Sequence, residues 1–183
     1  MVYILLCDGF EEMEAVTPYD LLTRAGIPVK YLGICEGTVT GTHGTRLLTH
    51  GLVSETDFAD CEMLVLPGGR RGVENLLTAD EAHRAIRTVW DNGGYVAAVC
   101  AAPVVLAKLG LTRGRRATCY PNSYWMEQMD GATLDMSAVT VADGKLITGL
   151  SAGQSIPFGL MLIEALRGEK TAQRVKNAIV WTK

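Results

Sequence analysis

The chain has 183 residues, 48% of them hydrophobic and 20% charged, with a formal net charge of -3. That length suffices for one domain spanning residues 1–183 with a substantial core, and that balance excludes a disordered chain. No Lys/Arg run exceeds Arg115-Arg116, so neither nucleic acid nor a membrane surface has electrostatic support as a partner.

Apolar patterning and turn residues predict alternating strands and helices. Residues 2–7 read as a buried strand, and Glu11 to Ala25 as a helix that Gly26 stops and Pro18 can bend. Asp8-Gly9 ends the first apolar stretch too early for a signal peptide, and no charged leader precedes it. Val29 to Ile34 is a second strand, and residues 36–51, rich in Gly and Thr, suggest a short hairpin or an irregular excursion. Met63 to Leu66 is a strand that ends in Pro67-Gly68-Gly69.

Ala79 to Asn92 carries the clearest helical stripe, Ala82, Ala85, Ile86, Val89 and Trp90, with Thr78 and Glu81 placed as a capping box and Gly93-Gly94 as a stop. Tyr95 to Val99 is the next strand and Ala101 to Leu109 the next helix. The apolar run from Tyr95 to Ala107, broken by Pro103, is too short to span a bilayer. Weaker strands are expected over Arg116 to Cys119, Ala138 to Ala142 and Leu146 to Thr148. Helices over Gly153 to Leu166 and Glu169 to Ala178 close the chain. Such alternation implies a mostly parallel sheet covered on both faces.

Five cysteines, an odd number, show no Cys-x-x-Cys or Cys/His spacing. With no secretion signal, reduced thiols in the cytosol are expected, with no structural zinc and no cofactor.

Ligands of parallel sheets bind beyond the carboxyl ends of the strands. Four segments stand there: Asp8 to Glu14, Pro67-Gly68-Gly69, Cys100-Ala101-Ala102-Pro103 and Gly149 to Gly153. A carboxylate, a glycine pair and a thiol thus share one edge. Cys100, at a strand-to-helix turn with small neighbours, is either a core cysteine or a nucleophile whose thiolate the following helix favours. Glu14 either complements the dipole of its helix or hydrogen-bonds the cysteine sulfur. Gly68-Gly69 is a tight turn or a source of oxyanion-binding N–H groups. The histidines are His43, His50 and His83. His83 reads as solvated, and His43 and His50 as surface groups flanking a segment that could deliver a base.

Three blocks carry a wider likeness. Leu5-Leu6-Cys7-Asp8-Gly9-Phe10-Glu11-Glu12-Met13-Glu14-Ala15-Val16, Leu64-Val65-Leu66-Pro67-Gly68-Gly69 and Ala97-Ala98-Val99-Cys100-Ala101-Ala102-Pro103 resemble the ThiJ/PfpI superfamily. The match is closest to its branch containing the parkinsonism-associated protein deglycase, and it runs on through Phe158-Gly159-Leu160 and Ile163 to Leu166. The resemblance implies a flavodoxin-like three-layer sandwich, like the class I glutamine amidotransferase domain, and a homodimer. It also implies that Cys100 is a reactive, oxidisable cysteine, Glu14 its protonated partner, and Gly69 and Ala101 oxyanion-type donors. Arg24 falls on an arginine that in some members reaches the partner subunit's site.

Two departures stand out. Tyr120 occupies the place of a histidine near the cysteine, and His43 lies near a position where arginine is common. Ala101 follows Cys100 where the protease-like branch has histidine, which argues against proteolysis. The functional reading is therefore a Cys100-dependent enzyme on small reactive carbonyls, with Gly68, Arg24, His43 and Tyr120 as substrate-binding candidates. The alternatives are a non-enzymatic oxidative-stress sensor and a hydrolase or hydratase of another small substrate.

Overall fold

The structure, a computed structural model, describes residues 1–182. A strand β1 (Val2–Leu6) leads into helix α1 (Glu12–Arg24) and strand β2 (Val29–Gly33). A hairpin of β3 (Thr38–Thr40) and β4 (Arg46–Leu48) fills the Gly/Thr-rich stretch. Next come β5 (Met63–Leu66), α2 (Arg70–Leu76), α3 (Asp80–Asp91), β6 (Tyr95–Val99) and α4 (Pro103–Lys108). After the short elements β7 (Arg116–Ala117), α5 (Ser123–Met126) and β8 (Thr133–Leu134) follow β9 (Thr140–Asp143) and β10 (Leu146–Gly149). Helices α6 (Ser155–Arg167) and α7 (Glu169–Ala178) complete the order.

The main sheet runs β2-β1-β5-β6-β10-β9 and is parallel except for β9, which pairs antiparallel with β10. Its strands are buried on both faces, and alternation sorts their side chains into two cores. Tyr3, Leu5, Leu64, Leu66, Val96 and Ala98 pack on the α3–α4 side. Val2, Ile4, Met63, Val65, Ala97 and Val99 pack on the side of α1, α6 and α7. This is the mostly parallel three-layer sandwich the sequence predicts. Gly159 of α6 lets that helix approach α1 closely, since a Cβ there would lie 2.6 Å from Leu21 Cδ1. Among the described residues no helix is long and apolar enough to cross a membrane.

Three expectations are corrected. The capping box fails, because the α3 N-cap is Ala79 with no side-chain bond, and Thr78 Oγ1 donates instead to the Asn75 carbonyl at 3.1 Å. Only Arg116–Ala117 of the expected strand over residues 116–119 is extended into pairing, because the main sheet is already closed on that side by β9. The helix expected from Ala101 begins at Pro103, whose missing N–H suits a first helical position.

Candidate active site

The carboxyl ends of β1, β5, β6 and β10 converge, and Cys100 lies at their centre. Its backbone is in the left-handed region, with φ 64°, a conformation that costs a side-chain-bearing residue about 1–3 kcal/mol. Strand β10 and the segment after β7 hold it in place. Cys100 N donates to the Gly149 carbonyl at 2.9 Å, and Tyr120 N donates to the Cys100 carbonyl at 2.7 Å. The turn thereby lifts the thiol out of the sheet edge into the space between the loops.

Two backbone N–H groups, of Gly69 and Ala101, point at the Cys100 sulfur, and neither donates to a backbone carbonyl. Gly69 can do this only as glycine. Its φ is 91°, and a Cβ would lie 2.2 Å from the Gly9 carbonyl oxygen. The expected help from a helix dipole is small, because α4 has six residues and starts three positions beyond Cys100. The two directed N–H groups take its place.

Glu14 sits in the first turn of α1 and is wholly buried. The Glu11 side chain caps the helix by accepting from Glu14 N at 2.9 Å, which fixes where the Glu14 side chain departs. Glu14 Oε2 accepts from Gly68 N at 2.7 Å. Oε1 is buried with no hydrogen-bond partner, and the carboxyl lies beside the Cys100 thiol, close enough for the two to shift each other's titration. Burial, then the nearby Glu11 carboxylate, pushes Glu14 up to about 7, against the pull of the Gly68 N–H and Cys100.

Cys100 is pushed upward by burial and by the Glu14 carboxylate, while the N–H groups of Ala101 and Gly69 pull it down. The two groups therefore behave as one site holding one negative charge. When Glu14 carries the proton, its repulsion vanishes and its O–H donates to sulfur. The thiolate is favoured in that microstate.

A cleft of about 420 Å³ opens over this pair, lined by Gly69, Ala101, Tyr120 and Ser151 to Gly153 together with Glu11, Thr42, Arg70 and Trp125. So Cys100, Glu14, Gly68, Gly69, Ala101 and Tyr120 come together. His43 does not line the cleft. Its imidazole is exposed and binds the Glu12 carboxylate at 2.8 Å, which raises the histidine's pKa and lowers that of Glu12. Arg24 lies at the far end of α1, exposed and paired with Asp20 at 2.7 Å. His50 accepts from Tyr31 N at 3.1 Å, and His83 binds the Leu76 carbonyl at 2.9 Å. Glu11, Glu12 and His43 bring one ligand atom each within 4.8 Å of one another, the one cluster of metal-ligand type among the described residues.

Arg70 and Trp125 escape sequence reasoning because α2 and α5 are short. Gly-Gly-Arg-Arg-Gly looks like loop, although Asn122, which caps α5 by accepting from Tyr124 N at 2.9 Å, is a readable start signal.

The chain is similar in sequence and fold to known proteins. A protein named dj-1beta from Drosophila melanogaster is 32% identical over 178 residues, covering 97% of this chain and 95% of its own. A protein named deglycase from Pyrococcus abyssi is 32% identical over 153 residues, 83% of this chain and 90% of its own. The solved structure of Drosophila DJ-1beta superposes with a TM-score of 0.92 at 31% identity, covering 100% of this chain and 98% of its own. An oxidized Toxoplasma gondii DJ-1 gives 0.90 at 26% identity, over 100% and 98%. The family model described as DJ-1/PfpI matches residues 1–165, and the chain belongs to that family.

Proposed function

We propose that the chain is a cysteine-dependent enzyme acting on small reactive carbonyls, with Cys100 as nucleophile. The observation that carries the reading is the Cys100–Glu14 pair: a thiol in a strained turn, faced by two N–H groups and by a buried carboxyl whose pKa lies near neutrality. A group poised there both takes and returns a proton at pH 7. The Cys100 sulfur adds to the aldehyde carbon of a 2-oxoaldehyde, and the carbonyl oxygen takes the Glu14 proton, giving a hemithioacetal. The proton on that carbon then moves to the neighbouring oxo carbon, through Glu14 or Tyr120, while the hydroxyl proton passes to the oxo oxygen, leaving a 2-hydroxy thioester. Water cleaves it to a 2-hydroxy acid and the free thiol. The N–H groups of Gly69 and Ala101 hold negative charge on sulfur or on an oxygen one bond beyond it. The relative named deglycase supports this chemical class.

A second reading has Cys100 as an oxidation sensor. Two N–H groups aimed at sulfur suit a sulfenate or sulfinate oxygen, and a relative was solved in oxidized form. Methylglyoxal consumption decides. The enzyme reading expects hydroxy-acid formation that Cys100→Ser abolishes. Equal turnover in that variant, or none in the intact protein, overturns it.

A further inference from the structure

We propose that Cys7 and Cys35 form a second thiol site, apart from the catalytic pair, that a hydroperoxide closes to a reversible disulfide. Both line one cavity of about 420 Å³, together with Ile34, Arg71 and Asn75. Cys100 is not among its lining residues.

The sheet register brings the two together. Leu6 of β1 pairs with Gly33 of β2, and Ile34 N donates to the Leu6 carbonyl at 3.1 Å. Cys7 therefore stands across from Ile34, the neighbour of Cys35. On a straight continuation of β2, which ends at Gly33, Cys35 would point to the face opposite Cys7, because side chains alternate along a strand. The chain bends after Gly33 and brings Cys35 to the cavity that Cys7 already faces.

Their environments assign the order of events. Cys35 is exposed and meets oxidant first. Cys7 is 7% exposed, its thiol donates to the Gly72 carbonyl at 3.1 Å, and burial pushes it up to about 12. It stays a thiol until a partner appears. The Cys35 sulfur attacks the outer peroxide oxygen, the O–O bond breaks, and a sulfenic acid and an alcohol (or water) result. Cys7 sulfur then attacks the Cys35 sulfur. The S–S bond forms, hydroxide leaves, and the Cys7 proton makes it water. Two thiols lose two electrons and one hydroperoxide gains them. A dithiol reductant reverses the bond. Oxidation also frees the Gly72 carbonyl, and Gly72 N is held by the Gly9 carbonyl at 3.1 Å, so the change reaches the loop between β1 and Glu14.

The test uses the full chain with Cys100→Ser, which removes the competing thiol. It is treated with equimolar hydrogen peroxide, blocked with N-ethylmaleimide and mapped by mass spectrometry without reduction. The expected result is a Cys7–Cys35 linked peptide, loss of two free thiols, and their return with dithiothreitol. Cys35→Ser, a surface change that leaves the core intact, abolishes the link. Cys35 found as sulfinate with Cys7 still free, or linked only to Cys35 of another copy, overturns the proposal.

Discussion

Glu14 and Cys100 approach each other across the bare backbone of Gly68. A Cβ at that position would lie 2.6 Å from Glu14 Oε2 and 2.9 Å from Cys100 Cβ. Gly68 also donates the N–H that anchors Glu14. Its lack of a side chain, rather than its flexibility, makes the pair possible. Gly68→Ala should therefore fold but separate the two groups. Misplacement of about 1 Å costs on the order of a hundredfold in rate, and the iodoacetamide reaction rate at Cys100 should fall by that order. An unchanged rate would show that the contact does not set reactivity.

The shared charge gives a pH prediction. Losing one proton from the pair creates a fraction of thiolate beside protonated Glu14. Alkylation of Cys100 should rise about tenfold per pH unit below about 7 and then level off. Glu14→Gln should remove the plateau, leaving a thiol that titrates later because burial still opposes its charge. The stability sign follows from the raised Glu14 pKa. Its contribution is fully present below the ordinary carboxylate range and is lost as pH rises through about 7. Urea titrations from pH 4 to 8 should show that slope in the parent and a flatter one in Glu14→Gln.

Much of this was legible in the residues. The strand ends at Leu6, Leu66, Val99 and Gly149 mark the converging loops, because buried parallel strands read as short apolar runs closed by Gly, Pro or Asp. Illegible was the cause of Cys100's setting. Sequence suggests a helix dipole, yet the sulfur answers to two N–H groups 32 positions apart in the chain, of Gly69 and Ala101. No local pattern encodes such a meeting. The role of His43 was equally hidden, since its binding to Glu12 depends on how the β3–β4 hairpin folds back over α1.

Arg70 is the single cation among the residues lining the cleft. Its exposed pairing with Glu74, at 3.0 Å, is worth little and leaves the guanidinium free to turn. An anionic reagent should be drawn toward Cys100. Arg70→Gln should slow iodoacetate several-fold relative to iodoacetamide. Equal slowing of both reagents would mean that Arg70 acts through shape alone.

The face of α1 bears on assembly. Met13 and Val16 are 53% and 41% exposed, three positions apart on one side of that helix. Burying them against a second copy would remove apolar surface from water and carry Arg24 toward the partner. We expect a homodimer by light scattering at micromolar concentration, and Val16→Glu should shift it toward monomer. A monomeric parent protein would leave Arg24 without a route to any cleft.

Cys100 should be the most reactive of the five thiols toward iodoacetamide. Three competitors are removed by burial, which pushes Cys7 and Cys61 up to about 12 and Cys119 up to about 11. Cys119 has no exposed surface, so the simple access that would have favoured it is missing. Cys35 remains, and it is exposed. Access and activation thus compete between two residues. Cys35 offers an open path through its exposure. Cys100 is partly covered, yet Glu14 can hold its proton and Gly69 and Ala101 can hold its charge. Thiolate fraction enters the rate directly, whereas partial cover by an open cleft reduces it less. Substoichiometric iodoacetamide at pH 7.5 followed by peptide mapping should find Cys100 modified first, with Cys35 second. Glu14→Gln should reverse that order. If Cys35 leads in the parent protein, the carboxyl does not activate the thiol, and the nucleophile assignment loses its physical basis.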